Sequence, residues 1–244
     1  MIDGVLVLAA GKSTRIAARS GGLPKPLLEI GGKPVIAYTL EWLAGYGIRE
    51  AWINLHFEPD TIRASLGDGS RFGLTIRYSL EPEILGTAGA WKKLRPEWSA
   101  TSLVVYGDNL IRFDLRRFLG VHRATGALVT AALFDPEVHA NTGIAGGYAV
   151  LGSGSHIERF VEGDPLRASG AYVNAGAYLL QPGVADWIPD GCQDFGNDIL
   201  PRLASAGKLA GYVLEPEAFC LGLDTPASFE RGEEILRAGS VSLS

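Results

Sequence analysis

Val5-Leu6-Val7-Leu8-Ala9-Ala10, followed at once by Gly11-Lys12-Ser13-Thr14-Arg15, constrains the fold more than any other stretch. Six unbroken apolar residues are too few for a buried helix. They suit a strand covered on both faces, as in the middle of a parallel sheet. A small-residue turn with cations just past a strand's carboxyl end is where open α/β sheets hold phosphates and nucleotides. The Gly-Lys-Ser ending is nevertheless not a P-loop. That motif needs a glycine five positions before its Gly-Lys pair, and Leu6 stands there. A Gly-x-Gly-x-x-Gly fingerprint is also absent.

Apolar periodicity then alternates along the chain. Helices are predicted at 34–46, 59–66, 88–94 and 115–123, and strands at 51–55, 75–79, 102–106 and 128–134. This rhythm predicts an α/β fold, a Rossmann-like three-layer sandwich on a mainly parallel, mixed sheet. Beyond Asn141 the character changes. Strands at 148–151, 156–161 and 171–180 are joined by Gly/Ser turns, and helices at 197–206 and 226–237 close the chain. The chain reads as one domain, 1–244, with parts of different character at about 1–140 and 141–225 and a last helix at 226–238.

Composition excludes several classes. With 244 residues and 47% hydrophobic content, a large packed core is available. A formal net charge of −5 argues against a general nucleic-acid binder. Two cysteines, Cys192 and Cys220, without close spacing give neither a zinc site nor a disulfide framework. No signal peptide and no long uncharged apolar run is visible, so a cytoplasmic chain without a membrane partner is expected. His56, His122, His139 and His156 are scattered singly and read as structural or solvent-facing.

Three blocks in order add specificity: Leu8-Ala9-Ala10-Gly11-Lys12-Ser13-Thr14-Arg15, Pro24-Lys25-Pro26-Leu27 and Gly32-Lys33-Pro34. Together they resemble the signature of the sugar-1-phosphate nucleotidyltransferases, the nucleotide-sugar pyrophosphorylases. Ser13 stands where the family has a second glycine. Leu85-Gly86-Thr87-Ala88-Gly89-Ala90 resembles the family's second nucleotide segment, and Gly107-Asp108 its metal-binding strand end. Gly147-Tyr148, Phe160-Val161-Glu162 and Val173-Asn174-Ala175-Gly176 resemble its sugar-side segments, and Leu223-Asp224-Thr225-Pro226 its second metal segment. Two departures stand out. Gly163 replaces the lysine that often follows the sugar-side glutamate. The aspartate before Thr225-Pro226 is displaced two residues from its usual place, which on a strand keeps it on the same face.

The resemblance implies roles residue by residue. Arg15, Lys25 and Asp108 become the catalytic residues. Leu8, Ala10, Gly11, Lys12, Ser13, Thr14, Arg15, Glu81, Gly86, Thr87 and Ala88 become nucleotide-binding. Asn109, Gly147, Glu162 and Asn174 fall to the sugar, and Asp108 with Asp224 to Mg²⁺. The substrates implied are an NTP and a sugar 1-phosphate, and a homo-oligomer is compatible. In such a reaction the sugar phosphate attacks the α-phosphorus and pyrophosphate leaves. A phosphate with its second pKa near 6 is already a nucleophile at neutral pH, so no general base is needed. Positioning and charge neutralisation carry the rate.

For the base, Glu81 offers acceptors alone, which suits guanine's two adjacent donors. That favours GTP with a mannose- or heptose-type 1-phosphate, as in the short mannose-1-phosphate and manno-heptose-1-phosphate guanylyltransferases. Uridylyl or thymidylyl transfer to a hexose or amino-sugar 1-phosphate stays open. So do cytidylyl transfer to a non-sugar phosphate and a catalytically silent nucleotide-sugar sensor. With so few residues after Asp224, the β-helical acyltransferase module of some relatives is not expected.

Overall fold

The structure is a computed structural model that describes residues 1–12, 14–143, 146–163 and 170–241. In chain order its strands are β1 (Gly4–Leu8), β2 (Glu29–Ile30), β3 (Lys33–Pro34), β4 (Glu50–Leu55), β5 (Thr75–Leu80), β6 (Ser102–Tyr106), β7 (Asn109–Arg112), β8 (Val129–Phe134), β9 (Tyr148–Leu151), β10 (Ile157–Val161), β11 (Tyr172–Leu180), β12 (Leu209–Val213) and β13 (Phe219–Gly222). The helices are α1 (Ala17–Ser20), α2 (Val35–Gly45), α3 (Pro59–Leu66), α4 (Gly86–Leu94), α5 (Leu115–Thr125), α6 (Leu200–Ser205) and α7 (Pro226–Arg237).

The main sheet runs β10-β9-β11-β6-β1-β4-β5, with β8 pairing both β11 and β12. β1 lies parallel to β4 and β6, β4 is parallel to β5, and β12 is parallel to β8. β11 joins antiparallel to β6, β8 and β9. The expected mixed, mainly parallel sheet is therefore found, with its antiparallel part in the later half of the chain.

The period of two sorts β1 into two layers. Val5 and Val7 enter a core shared with α2, α3 and α5, whereas Leu6 and Leu8 enter one shared with α4 and α6. All five residues of β1 are buried, which is why its sequence is apolar without alternation. A third core holds the small antiparallel sheet of β7 and β13 against α7, through Leu110, Leu221, Phe229 and Ile235. It positions the site, because Leu223 is fixed in it one residue before Asp224. The N-terminus of α7 follows, with Thr225 and Ser228 forming a reciprocal cap.

The expected helix at 197–206 is shorter than its pattern suggests: a wide turn, Phe195–Ile199, precedes α6. No helix among the described residues is long and apolar enough to cross a membrane.

Candidate active site

The carboxyl ends of β1, β4, β5 and β6 surround a cleft of about 260 Å³. Leu8, Ala10 and Gly11 form one wall, Asn54, Glu81 and Ile84 a second, and Gly86, Thr87, Tyr106 and Asp108 a third. Cys192 and Asp194 close it. Crossover connections leave this end of a parallel sheet open, so backbone donors and loop side chains gather here.

Four charges stand together beside the cleft. Gly107 extends the β1–β6 ladder by donating its N–H to Leu8 O at 2.9 Å, and Asp108 follows directly. The Lys25 ammonium hydrogen-bonds Asp224 Oδ1 and lies 3.6 Å from Asp108 Oδ2. Arg15 Nη2 lies 3.3 Å from Asp224 Oδ2. Lys25 sits in a tight turn, Lys25–Leu27, between two prolines, and its side chain is 10% exposed against 63% for Arg15. Burial raises the Asp108 carboxyl above the usual carboxylate range and Asp224 adds to this, while Lys25 and Arg15 pull it down. Asp108 keeps 28% of its side chain accessible, so the burial is that of a narrow cleft wall.

These residues fit a magnesium ion. Two carboxylates already converge on one cationic atom, and hard oxygen donors supplemented by phosphate are that ion's usual ligands. Among the described residues no group of three or more His, Cys, Asp and Glu could hold a metal, so phosphate and water oxygens would complete the shell.

On the wall expected to take the base, Glu81 is 1% exposed. Its Oε1 accepts from Asn54 Nδ2 at 2.9 Å and its Oε2 from Leu85 N–H at 3.0 Å. Asn54 Oδ1 in turn accepts from Ala9 N–H at 2.8 Å. The chain Ala9–Asn54–Glu81–Leu85 thus ties the turn after β1 to the loop after β5. Asn54 belongs to no motif, and its one signal in the sequence is a lone amide near the end of the apolar strand Ala-Trp-Ile-Asn-Leu. It also bears on Glu81 as a guanine acceptor, since both oxygens already serve protein donors.

Gly86 has φ +71°, and a side chain there would collide with the Gln193 carbonyl. That carbonyl accepts the N–H groups of Ala88 and Gly89. Ala88 is fully buried and faces the core, not the cleft. The Thr87 hydroxyl donates to Asp194 Oδ1 at 3.1 Å and accepts from Phe195 N–H. The loop around Asp194 is thus a second passage that sequence reasoning misses, because its partners lie about a hundred residues upstream.

The residues expected to meet the sugar lie past Asp108. Asn109 opens β7 opposite Gly222. Gly176, at φ +73°, brings the β11 backbone so near Asn109 that a side chain would not fit. Asn174 is turned to structural use: its amide donates to the Tyr178 hydroxyl at 2.6 Å and its oxygen accepts from Gly176 N–H. Gly147 packs against the Glu162 carboxylate, whose Oε2 is buried without a hydrogen-bond partner among the described residues. Burial, then Asp194, raises the Glu162 carboxyl. Residues 164–169, beyond the missing lysine at Gly163, lie outside the described residues, as does Ser13. Lys12 and Thr14 are exposed on the same loop.

Of the histidines, His122 and His139 are buried. His56 Nδ1 meets the Glu81 carbonyl at 2.9 Å, so it buttresses the loop after β5.

Known proteins resemble this chain over most of its length. The UTP–glucose-1-phosphate uridylyltransferase of Synechocystis is 33% identical, over 83% of this chain and 55% of its own. The mannose-1-phosphate guanylyltransferase of Mycobacterium tuberculosis is 32% identical, over 98% of this chain and 65% of its own. The chain therefore spans between about half and two thirds of the length of these curated relatives. The crystal structure of HddC from Yersinia pseudotuberculosis shares the fold, with a TM-score of 0.80 at 24% identity over 96% of this chain and 100% of that one. The family model for nucleotidyl transferases matches residues 4–223, which take in every strand from β1 to β13, and the chain belongs to that family.

Proposed function

We propose that the protein couples an NTP to a sugar 1-phosphate, releasing pyrophosphate and forming a nucleoside-diphosphate sugar. The observation that carries this reading is the meeting of Lys25, Arg15, Asp108 and Asp224 beside the cleft at the carboxyl ends of the parallel strands. In-line transfer between phosphates needs neutralisation of anions and alignment more than proton transfer. Arg15, more than half exposed, takes the departing pyrophosphate, where a planar fork can bind two oxygens. Lys25, deeper, takes the phosphate oxygens nearer the reacting phosphorus. Asp108 and Asp224 would hold Mg²⁺, which would supply a Lewis acid for the phosphate charge.

Glu162 and Asn109 are assigned to the sugar hydroxyls: the buried Glu162 Oε2, lacking a partner among the described residues, is suited to accept from a hydroxyl. The base is assigned to guanine. Support comes from the M. tuberculosis relative, named a mannose-1-phosphate guanylyltransferase, and from HddC, crystallised with GMP-PN. The Glu81 carboxylate is engaged within the protein, and the Synechocystis relative is named a uridylyltransferase, so UTP with glucose 1-phosphate is the second reading. Pyrophosphate release over a matrix of NTPs and sugar 1-phosphates tests both. GTP with mannose or heptose 1-phosphate should lead. A tenfold preference for UTP would replace the first reading with the second, and no release with any pair would refute the reaction.

A further inference from the structure

We propose that Lys25 is an internal counter-ion that occupies the metal position of Asp108 and Asp224 and must leave it before a divalent ion can bind. The inference rests on the assignment of those carboxylates to the metal.

The Lys25 ammonium is bonded to Asp224 Oδ1 and is 3.6 Å from Asp108 Oδ2, so it sits between the two carboxylates. These are the two carboxylates that would hold the ion, whose ligands sit at roughly 2.1 Å. An ammonium and a divalent ion cannot share them at that distance, and charge repulsion opposes holding both. The Lys25 side chain is 10% exposed, so water does little to compensate its charge. It leaves the carboxylates readily only when another anion receives it.

That anion is the phosphate of an incoming substrate. The local charges of Arg15, Lys25, Asp108 and Asp224 sum to zero, two positive and two negative, so neither an ion nor a phosphate is strongly favoured alone. Once an ion takes the carboxylates, Lys25 and Arg15 are left to phosphate. Once a phosphate draws Lys25 away, the carboxylates are left to the ion. Metal and phosphate therefore bind with positive coupling, which runs through one side chain.

The consequence is counter-intuitive for a residue that binds substrate. Replacing Lys25 by a neutral side chain of similar length should damage turnover yet tighten binding of the bare ion. Removing a positive charge this near the ion should raise affinity about tenfold or more. The test is Mn²⁺ binding without nucleotide, followed by calorimetry and by the paramagnetic signal of free Mn²⁺. The expected result is weak binding to wild type and to Lys25→Arg, binding about tenfold or more tighter to Lys25→Met, and none to Lys25→Met/Asp108→Asn. Equal or weaker binding to Lys25→Met, still abolished by Asp108→Asn, would overturn the inference and leave the metal assignment standing. Binding indifferent to Asp108→Asn would overturn the assignment itself. If Lys25→Met refolds with Mn²⁺ but not with a chelator, that dependence supports the inference. If it refolds in neither, Lys25→Gln takes its place under the same criteria.

Discussion

At the scale of the residue, the two carboxylates differ in what their loss should do. Burial already disfavours the ionised form of Asp108, so neutral Asn there removes a strained charge. The sign follows from the raised pKa: the cost of ionised Asp108 grows as pH rises through its folded value and vanishes in acid. Asp108→Asn should therefore melt at or above the wild-type temperature at neutral pH. Asp224→Asn should melt lower, because it weakens the hydrogen bond to a nearly buried Lys25 and the contact with Arg15. Paired thermal unfolding curves check the order, and a reversed order would contradict the placement of the two charges. Glu81 gives a second residue-level prediction. Both of its oxygens accept from donors, so in Glu81→Gln the new amide must face the Asn54 amide or the Leu85 N–H. That leaves a buried donor unmatched and should cost about 1–3 kcal/mol of stability. Urea unfolding measures it. A variant of unchanged stability whose base preference moves from GTP to UTP would instead show that Glu81 is turned toward the base.

At the scale of the element, α5 is fastened to the sheet by His122. Its Nδ1 meets Thr130 Oγ1 at 2.8 Å and its Nε2 meets Gln181 Nε2 at 2.9 Å. Burial, with Arg123 adding to it, lowers its pKa from 6.5 to about 4. A depressed histidine pKa means that the fold holds the neutral ring. Its contribution is complete above pH 6.5 and is lost as pH falls toward 4, where the unfolded chain takes up a proton first. The loss should be about 2–3 kcal/mol and should be missing from His122→Gln. Denaturant titrations of both proteins across that interval check this, and parallel pH profiles would contradict it. The same elements show what the sequence could tell. Strands at 102–106 and 148–151 are legible because unbroken apolar runs between turns have one reading. The pairs β2–β3 and β7–β13 are not: the first is two residues a side, and the second joins segments far apart in sequence, as Cys220 meets Ile111. The wide turn before α6 is also hidden, since its amide pattern is set by Asp198 bonding Asp194 N–H and not by apolar period.

At the scale of the whole molecule, the first half of the chain builds the parallel strands whose ends form the cleft. The second half returns to bring Asp194, from the loop before α6, to its wall and Asp224, just after β13, beside Lys25 and Asp108. The charged part of this site was legible as residue types, through the ordered blocks around Arg15, Lys25, Asp108 and Asp224. Their mutual contacts were not, because they depend on a core that fixes Leu223 against Phe229 and Ile30. Nor was the tether from Ala9 through Asn54 to Glu81, which redirects the residue expected to read the base. The central claim is that this constellation transfers a nucleotidyl group to a sugar phosphate. Its most direct measurement is initial-rate pyrophosphate release in Mg²⁺, with and without sugar 1-phosphate, for wild type and Asp108→Asn. Release should require the sugar phosphate and should fall by about two orders of magnitude or more in the variant, which keeps its fold. Release without the sugar phosphate, or an Asp108→Asn enzyme of near-normal rate, would contradict the account.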